Sequence, residues 1–192
     1  MIEKCADYIA FYLVKNGLIE QDKMAIYKYG YEILISNIIN ISVALIVGAI
    51  FSEFIESIIF LMVFAIMRKY CGGYHANTYL KCEIIFFLNT VCIMILAKTN
   101  IHLELMWLYA IYLFIIEKFA PIKNKYKPID SKRKWLCKLY AIILCASFNV
   151  FSVLNYKKSN RYSMGVDLTL LSVVLSMIIQ KILTGRRRQD ET

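Results

Sequence analysis

Phe54 to Met67, FIESIIFLMVFAIM, runs directly into Arg68 to Cys82, RKYCGGYHANTYLKC, and then into the apolar stretch that begins at Glu83. The first piece reads as a membrane helix that is too short, covering about 21 Å at 1.5 Å per residue against roughly 30 Å of hydrocarbon. It must continue into the Arg68 segment, thin the bilayer or enter it partway. The second piece places a histidine, two cysteines, a glycine pair and three cations between two apolar runs. Polar and ionisable groups in such a place are costly in lipid and mark function.

Outward from this stretch the chain keeps the same character. Of its 192 residues 59% are hydrophobic and two are proline, and the mean hydropathy is +0.55. These values predict an all-α, polytopic integral membrane protein. One membrane-embedded domain over residues 1–192 leaves no room for a separate soluble one. Besides Phe54 to Met67, the candidate spans are Tyr31 to Phe51, Glu83 to Ala97, Leu103 to Ala120, Trp135 to Asn155 and Ser163 to Leu183, six in all. Ser36, Asn37, Asn40 and Ser42 give the first span a polar stripe expected to face other helices. Glu83, Glu117 and Asp167 lie at or near span ends, within reach of water or a partner.

Charge sets the expected orientation, because cytoplasmic loops retain lysine and arginine. With both termini inside, 19 of the 23 cations fall on the inner side, and only Lys98, Lys157, Lys158 and Arg161 fall outside. The Arg68 to Cys82 segment then faces the cytoplasm. Met1 to Gly17 carries Ile2, Cys5, Ala6, Ile9 and Leu13 at helical spacing and ends in Asn16-Gly17, a helix stop. It reads as an amphipathic helix lying at the inner interface or packed on the other spans. No signal peptide is recognisable, so the mature chain is expected to start at Met1. Residues 184–192 read as a solvated or headgroup-binding polar tail.

A cysteine becomes a peptidase nucleophile when a nearby base takes its proton, and His75 and Cys82 are the natural pair. Seven residues along an unbroken helix would leave them about 10 Å apart. The pairing therefore requires a break: Gly72-Gly73 can end one helix, and Asn77 or Thr78 can cap the next. Cys82 would then sit near the first turn, where the helix dipole and Arg68, Lys69 and Lys81 favour thiolate. Cys71 is a rival nucleophile. A metal site built from Cys71, His75 and Cys82 lacks a fourth ligand and the usual paired spacing; no metal or other cofactor is expected. Cys5, Cys92, Cys137 and Cys145 read as apolar packing.

These residues resemble the accessory gene regulator B (AgrB) family, the membrane endopeptidases of Gram-positive quorum sensing. The resemblance rests on Arg68, on Gly73 directly before Tyr74-His75-Ala76, and on a cysteine seven residues after the histidine. A second block, Ala120-Pro121-Ile122 followed by a lysine-rich stretch to Lys127-Pro128-Ile129, is also similar, as are length, span number and block order. The resemblance implies that Cys82 is the nucleophile and His75 its base, with Arg68 and Gly73 in the same motif. It also implies a homodimer and an AgrD-type precursor peptide with an amphipathic leader and an acidic tail. Cleavage near the precursor's C-terminal end would leave a thioester that a precursor cysteine or serine attacks, closing a thiolactone or lactone ring.

Other residues keep two readings. Asn77, Glu83 and Asn89 are candidates to orient His75, although Glu83 lies about 100° around a helix from Cys82. Arg68 could hold a substrate carboxylate or the developing oxyanion, or anchor at the headgroups. The loop 118–138 carries eight cations against Asp130 alone, which fixes topology and binds anionic lipid. Its Lys123, Lys125 and Lys127 could also steer an acidic tail to Cys82. Nucleic acid is excluded as a partner, since the cations follow the membrane topology. The competing classes are a peptide or ion transporter lined by Asn37, Asn40 and Asp167, and a scaffold without chemistry.

Overall fold

The computed structural model describes residues 1–73, 78–98, 108–122, 131–156 and 160–189. Among these the chain is helical: α1 Ile2–Lys15, a 3-10 turn Gln21–Lys23, α2 Met24–Ile50, α3 Phe54–Cys71, α4 Tyr79–Lys98, α5 Tyr109–Phe119, α6 Ser131–Tyr156 and α7 Asn160–Gln189. It is an all-α membrane protein. Four segments are long and apolar enough to cross a bilayer, Gln21–Ile50, Tyr79–Lys98, Lys132–Asn155 and Arg161–Leu183. The sequence predicts six. The other two fall short of that measure for physical reasons: α3 carries Glu56, Arg68 and Lys69 in 18 residues, and α5 is described over only 11.

The short second span is extended, as one of its three readings required. Helix α3 continues through Arg68 to Cys71, which brings it to about 27 Å. Helix α1 ends at the Asn16-Gly17 stop, where Gly17 takes a positive φ of 67° and donates to the Val14 carbonyl at 2.9 Å. It packs on the other helices: Ala6 and Ala10 are fully buried where α1 lies on α2, and Lys28 of α2 pairs with Asp7 at 2.7 Å, while Tyr8, Phe11 and Tyr12 stay exposed on a face suited to the membrane interface. The α7 helix runs past Leu183 to Gln189, so the first part of the polar tail is helical. Nothing there stops a helix, since arginine is a good helix former.

Lipid tails are as apolar as leucine, so helix association in a bilayer rests on close packing and polar ties. Both are present. Gly48 of α2 lets Ser57 of α3 approach so closely that no Cβ fits, and the Glu53 amide closes the turn onto the Gly48 carbonyl at 2.8 Å. Tyr109 donates to buried Asp167 at 2.6 Å, and Ser163 donates to the Ser152 carbonyl at 2.9 Å. Asp167 therefore has a protein partner and does not line an open path. The predicted polar stripe of α2 is split: Ser36 is buried and Asn40 half-buried, while Asn37 and Ser42 are exposed. At 100° per residue Ser42 lies opposite the face that carries Ala44, Val47 and Gly48, whereas Asn37 projects onto that face but is exposed near its edge.

Helices α3 and α7 form the centre. One side packs Met67, Cys71, Tyr112, Ile116, Cys145, Leu170 and Met177, and the other packs Ala44, Phe60, Phe86, Met94 and Leu168. The rings of Phe60, Phe64 and Phe86 stack at 5.4 to 5.7 Å. The ends of α3 and α4 that bear the polar segment are thereby fixed against α7.

Candidate active site

The helical break that the His75 and Cys82 chemistry requires is bounded on both sides. Helix α3 stops at Cys71 because Gly72 turns the chain at φ 76°, ψ −156°, and donates to the Arg68 carbonyl at 3.0 Å. A side chain there would be strained and would press on Ile122, whose backbone lies 3.3 Å from the Cβ position. The Ile122 amide instead donates to the Cys71 carbonyl at 3.0 Å. The Ala120-Pro121-Ile122 block is thus docked on the end of α3, and the two distant sequence blocks form one structure.

Helix α4 begins at Tyr79, with the Thr78 hydroxyl accepting from the Lys81 amide at 3.4 Å and the Thr78 carbonyl from the Cys82 amide at 3.2 Å. Cys82 lies in the first turn, half-buried, where the unpaired amides of a helix start favour negative charge. Arg68, half-buried against the Phe64 ring at 5.3 Å, is within electrostatic reach of Cys82. The guanidinium of Arg68 and the Cys82 thiol interact electrostatically across the break.

Cys71 is in a different environment. It is fully buried and packed in the core with Cys145. A thiol with no exposed surface cannot meet a substrate and is a poor nucleophile.

The third wall comes from α7, which the sequence reading missed. A Cβ on Gly73 would lie 2.8 Å from the Ser176 hydroxyl and 3.8 Å from the nearer Arg68 nitrogen. One turn back, Ser172 accepts from Asn89 at 3.5 Å, and Asn89 shares the Cys82 face of α4 by its seven-residue spacing. Asn89 is thus engaged with α7. Glu83 is half-buried, with one oxygen lacking a hydrogen-bond partner among the described residues. The available signal for Ser176 was its spacing of four from Ser172 in an apolar helix, where small polar residues mark a contact face. His75 and Asn77 lie outside the described residues, as do Lys123, Lys125 and Lys127.

Comparison with known proteins decides the family. The profile of accessory gene regulator B matches residues 6–183. The chain belongs to the AgrB family. It is 30% identical to a putative AgrB-like protein of Clostridium perfringens strain SM101, over 93% of this chain and 87% of that one. It is also 30% identical to putative AgrB-like protein 2 of Clostridium perfringens strain 13, over 70% and 67%. The accessory gene regulator protein B of Staphylococcus aureus strain Newman is 26% identical over 77% and 79%. No solved structure matches. As an AgrB family member, the protein takes part in the quorum-sensing accessory gene regulator system.

Proposed function

We propose that this AgrB family member is a cysteine endopeptidase that removes the C-terminal tail from a small precursor peptide. His75 takes the Cys82 thiol proton, and the thiolate attacks the scissile carbonyl. The tetrahedral oxyanion is met by Arg68. As the C–N bond breaks, the proton passes to the departing amine and a Cys82 thioester remains. A precursor cysteine thiol, or a serine hydroxyl, then attacks that thioester, closes the ring and returns the thiol. Exchange of one thioester for another is close to energy-neutral, and a site that excludes water favours ring closure over hydrolysis.

The observation that carries this reading is the contrast between two cysteines eleven residues apart. Cys82 is half-buried in the first turn of a helix, within electrostatic reach of Arg68, whereas Cys71 is fully buried in the core. The charge distribution supports six spans with both termini and the site at the cytoplasmic face of the cell membrane. The family resemblance supports a homodimer.

Coexpression with a candidate precursor peptide, preferably one encoded beside the gene, followed by mass measurement, tests the reaction. Tail release is expected to vanish in Cys82→Ala and His75→Ala and to persist in Cys71→Ala. A hydroxylamine-sensitive adduct on Cys82 is expected in single turnover. Release that survives Cys82→Ala ends the proposal.

A further inference from the structure

Helix α4 is consecutive with α3 but rests on α2 and α7 and only lightly on α3. The break at Gly72 therefore leaves the tip of α4, with Cys82 on it, to be held by other elements. One tie is Asn89 to Ser172 of α7, two turns beyond the cysteine. The other is at the tip itself: Tyr79, the first residue of α4, donates its hydroxyl to Glu32 of α2 at 2.8 Å in a partly buried contact. A phenol donating to a carboxylate makes a charge-assisted bond, stronger than a neutral one. Residues three apart are neighbours on a helix surface, so this anchor adjoins Cys82. Glu32 is itself placed by α2, one turn beyond Lys28, which pairs with Asp7 of α1 at 2.7 Å.

We propose that Glu32 is a positioning residue for Cys82, acting through Tyr79: the bond pins the first turn of α4 so that the thiol stays half-buried beside Arg68. This rests on Cys82 being the nucleophile. Two anchors, one on either side of the Cys82 face, fix both the rotation of α4 about its axis and its displacement along it. Losing the outer anchor lets the cysteine turn toward solvent, so it becomes more accessible and less reactive toward its substrate. A general loosening of the bundle would not give that combination.

The test uses the full-length protein in membranes with two readouts. The first is peptide-resolved labelling of each cysteine by N-ethylmaleimide, which needs no substrate. In Tyr79→Phe and Glu32→Ala, Cys82 labelling is expected to rise several-fold, while the fully buried Cys71 and Cys145 stay unlabelled. The second is single-turnover tail release from an epitope-tagged candidate precursor peptide, preferably one encoded beside the gene. Here the rate constant is expected to fall about tenfold or more with KM little changed. Glu32→Gln, which keeps an acceptor, is expected to recover most of the rate, and the double variant to be no worse than either single one. Unchanged labelling and rate in Tyr79→Phe overturn the proposal, as do additive losses in the double variant. Labelling of Cys71 in Tyr79→Phe also overturns it, because the bond would then hold the bundle and not the cysteine. Labelling reads independently of the peptidase assignment, which fails separately if tail release survives Cys82→Ala.

Discussion

The Ser176 hydroxyl of α7 stands 2.8 Å from the point where a side chain on Gly73 would begin. Real Cβ atoms do not approach an oxygen so closely at rest, so Gly73→Ala must push the loop off α7 or displace the serine. Tail release by Gly73→Ala is expected to fall about tenfold or more. Adding Ser176→Ala leaves the position-176 Cβ and an Arg68 nitrogen, both at 3.8 Å, and is expected to restore part of the loss, whereas adding Ser172→Ala restores none. Equal rates in the two double variants would show that α7 is not the wall of the site.

Cys71 should be chemically silent. It has no exposed surface and is packed in the core with Cys145. N-ethylmaleimide labelling between pH 7 and pH 9 is expected to leave Cys71 unmodified. Labelling there at the rate seen for exposed Cys5 would return Cys71 to the list of nucleophiles.

Gly72→Ala tests the joint between the two sequence blocks. The φ of 76° and the Ile122 backbone 3.3 Å from the Cβ position both oppose a side chain. A destabilisation of about 1–3 kcal/mol is expected, visible as a lower Tm in detergent. Ile122→Pro removes the amide that donates to Cys71 and should lower Tm as well. A Gly72→Ala protein as stable as the parent would argue against the docked arrangement.

Glu53 offers a pH test at the α2 to α3 turn. Burial, then the charge of Glu56, raise its carboxyl above the ordinary 4.5, while Arg161 opposes them from 3.3 Å. A raised folded value means that protonation favours the folded state: the stabilisation is fully present below the ordinary value and is lost as pH rises through the folded one. Arg161→Ala removes the opposing charge, and its stability deficit is expected to be about 1 kcal/mol at neutral pH and to shrink on acidification. A deficit independent of pH would mean that the ion pair is not the cause.

Replacing Lys123, Lys125 and Lys127 together by glutamine is expected to raise KM for the precursor and flatten its salt dependence, with kcat retained. Processing unchanged at low and high salt would remove the steering role and leave the lysines to topology and lipid.

Much of this was legible in the residues. The pair Gly72-Gly73 marked where a helix could end, and Thr78 was one of two residues able to cap the next. The spacing of Ile2, Ala6 and Ile9 marked α1 as a helix, but not what it lies on. Ser176 and Glu32 were not legible as members of the site. A serine in an apolar helix and a glutamate near a helix start have many ordinary uses, and their meaning depends on which distant residue they meet.

The sequence by itself determined the helical membrane class and the place of the break, because bilayer thickness, helical rise and glycine conformation act locally along the chain. Only the tertiary structure decided that Cys71 is sealed against Cys145, that Ile122 caps α3, that Ser176 closes on Gly73 and that Glu32 holds Tyr79. Each of these joins residues that are far apart in sequence. In a bilayer the apolar faces of helices are interchangeable, so such pairings are selected by close packing and a few polar ties across the whole bundle.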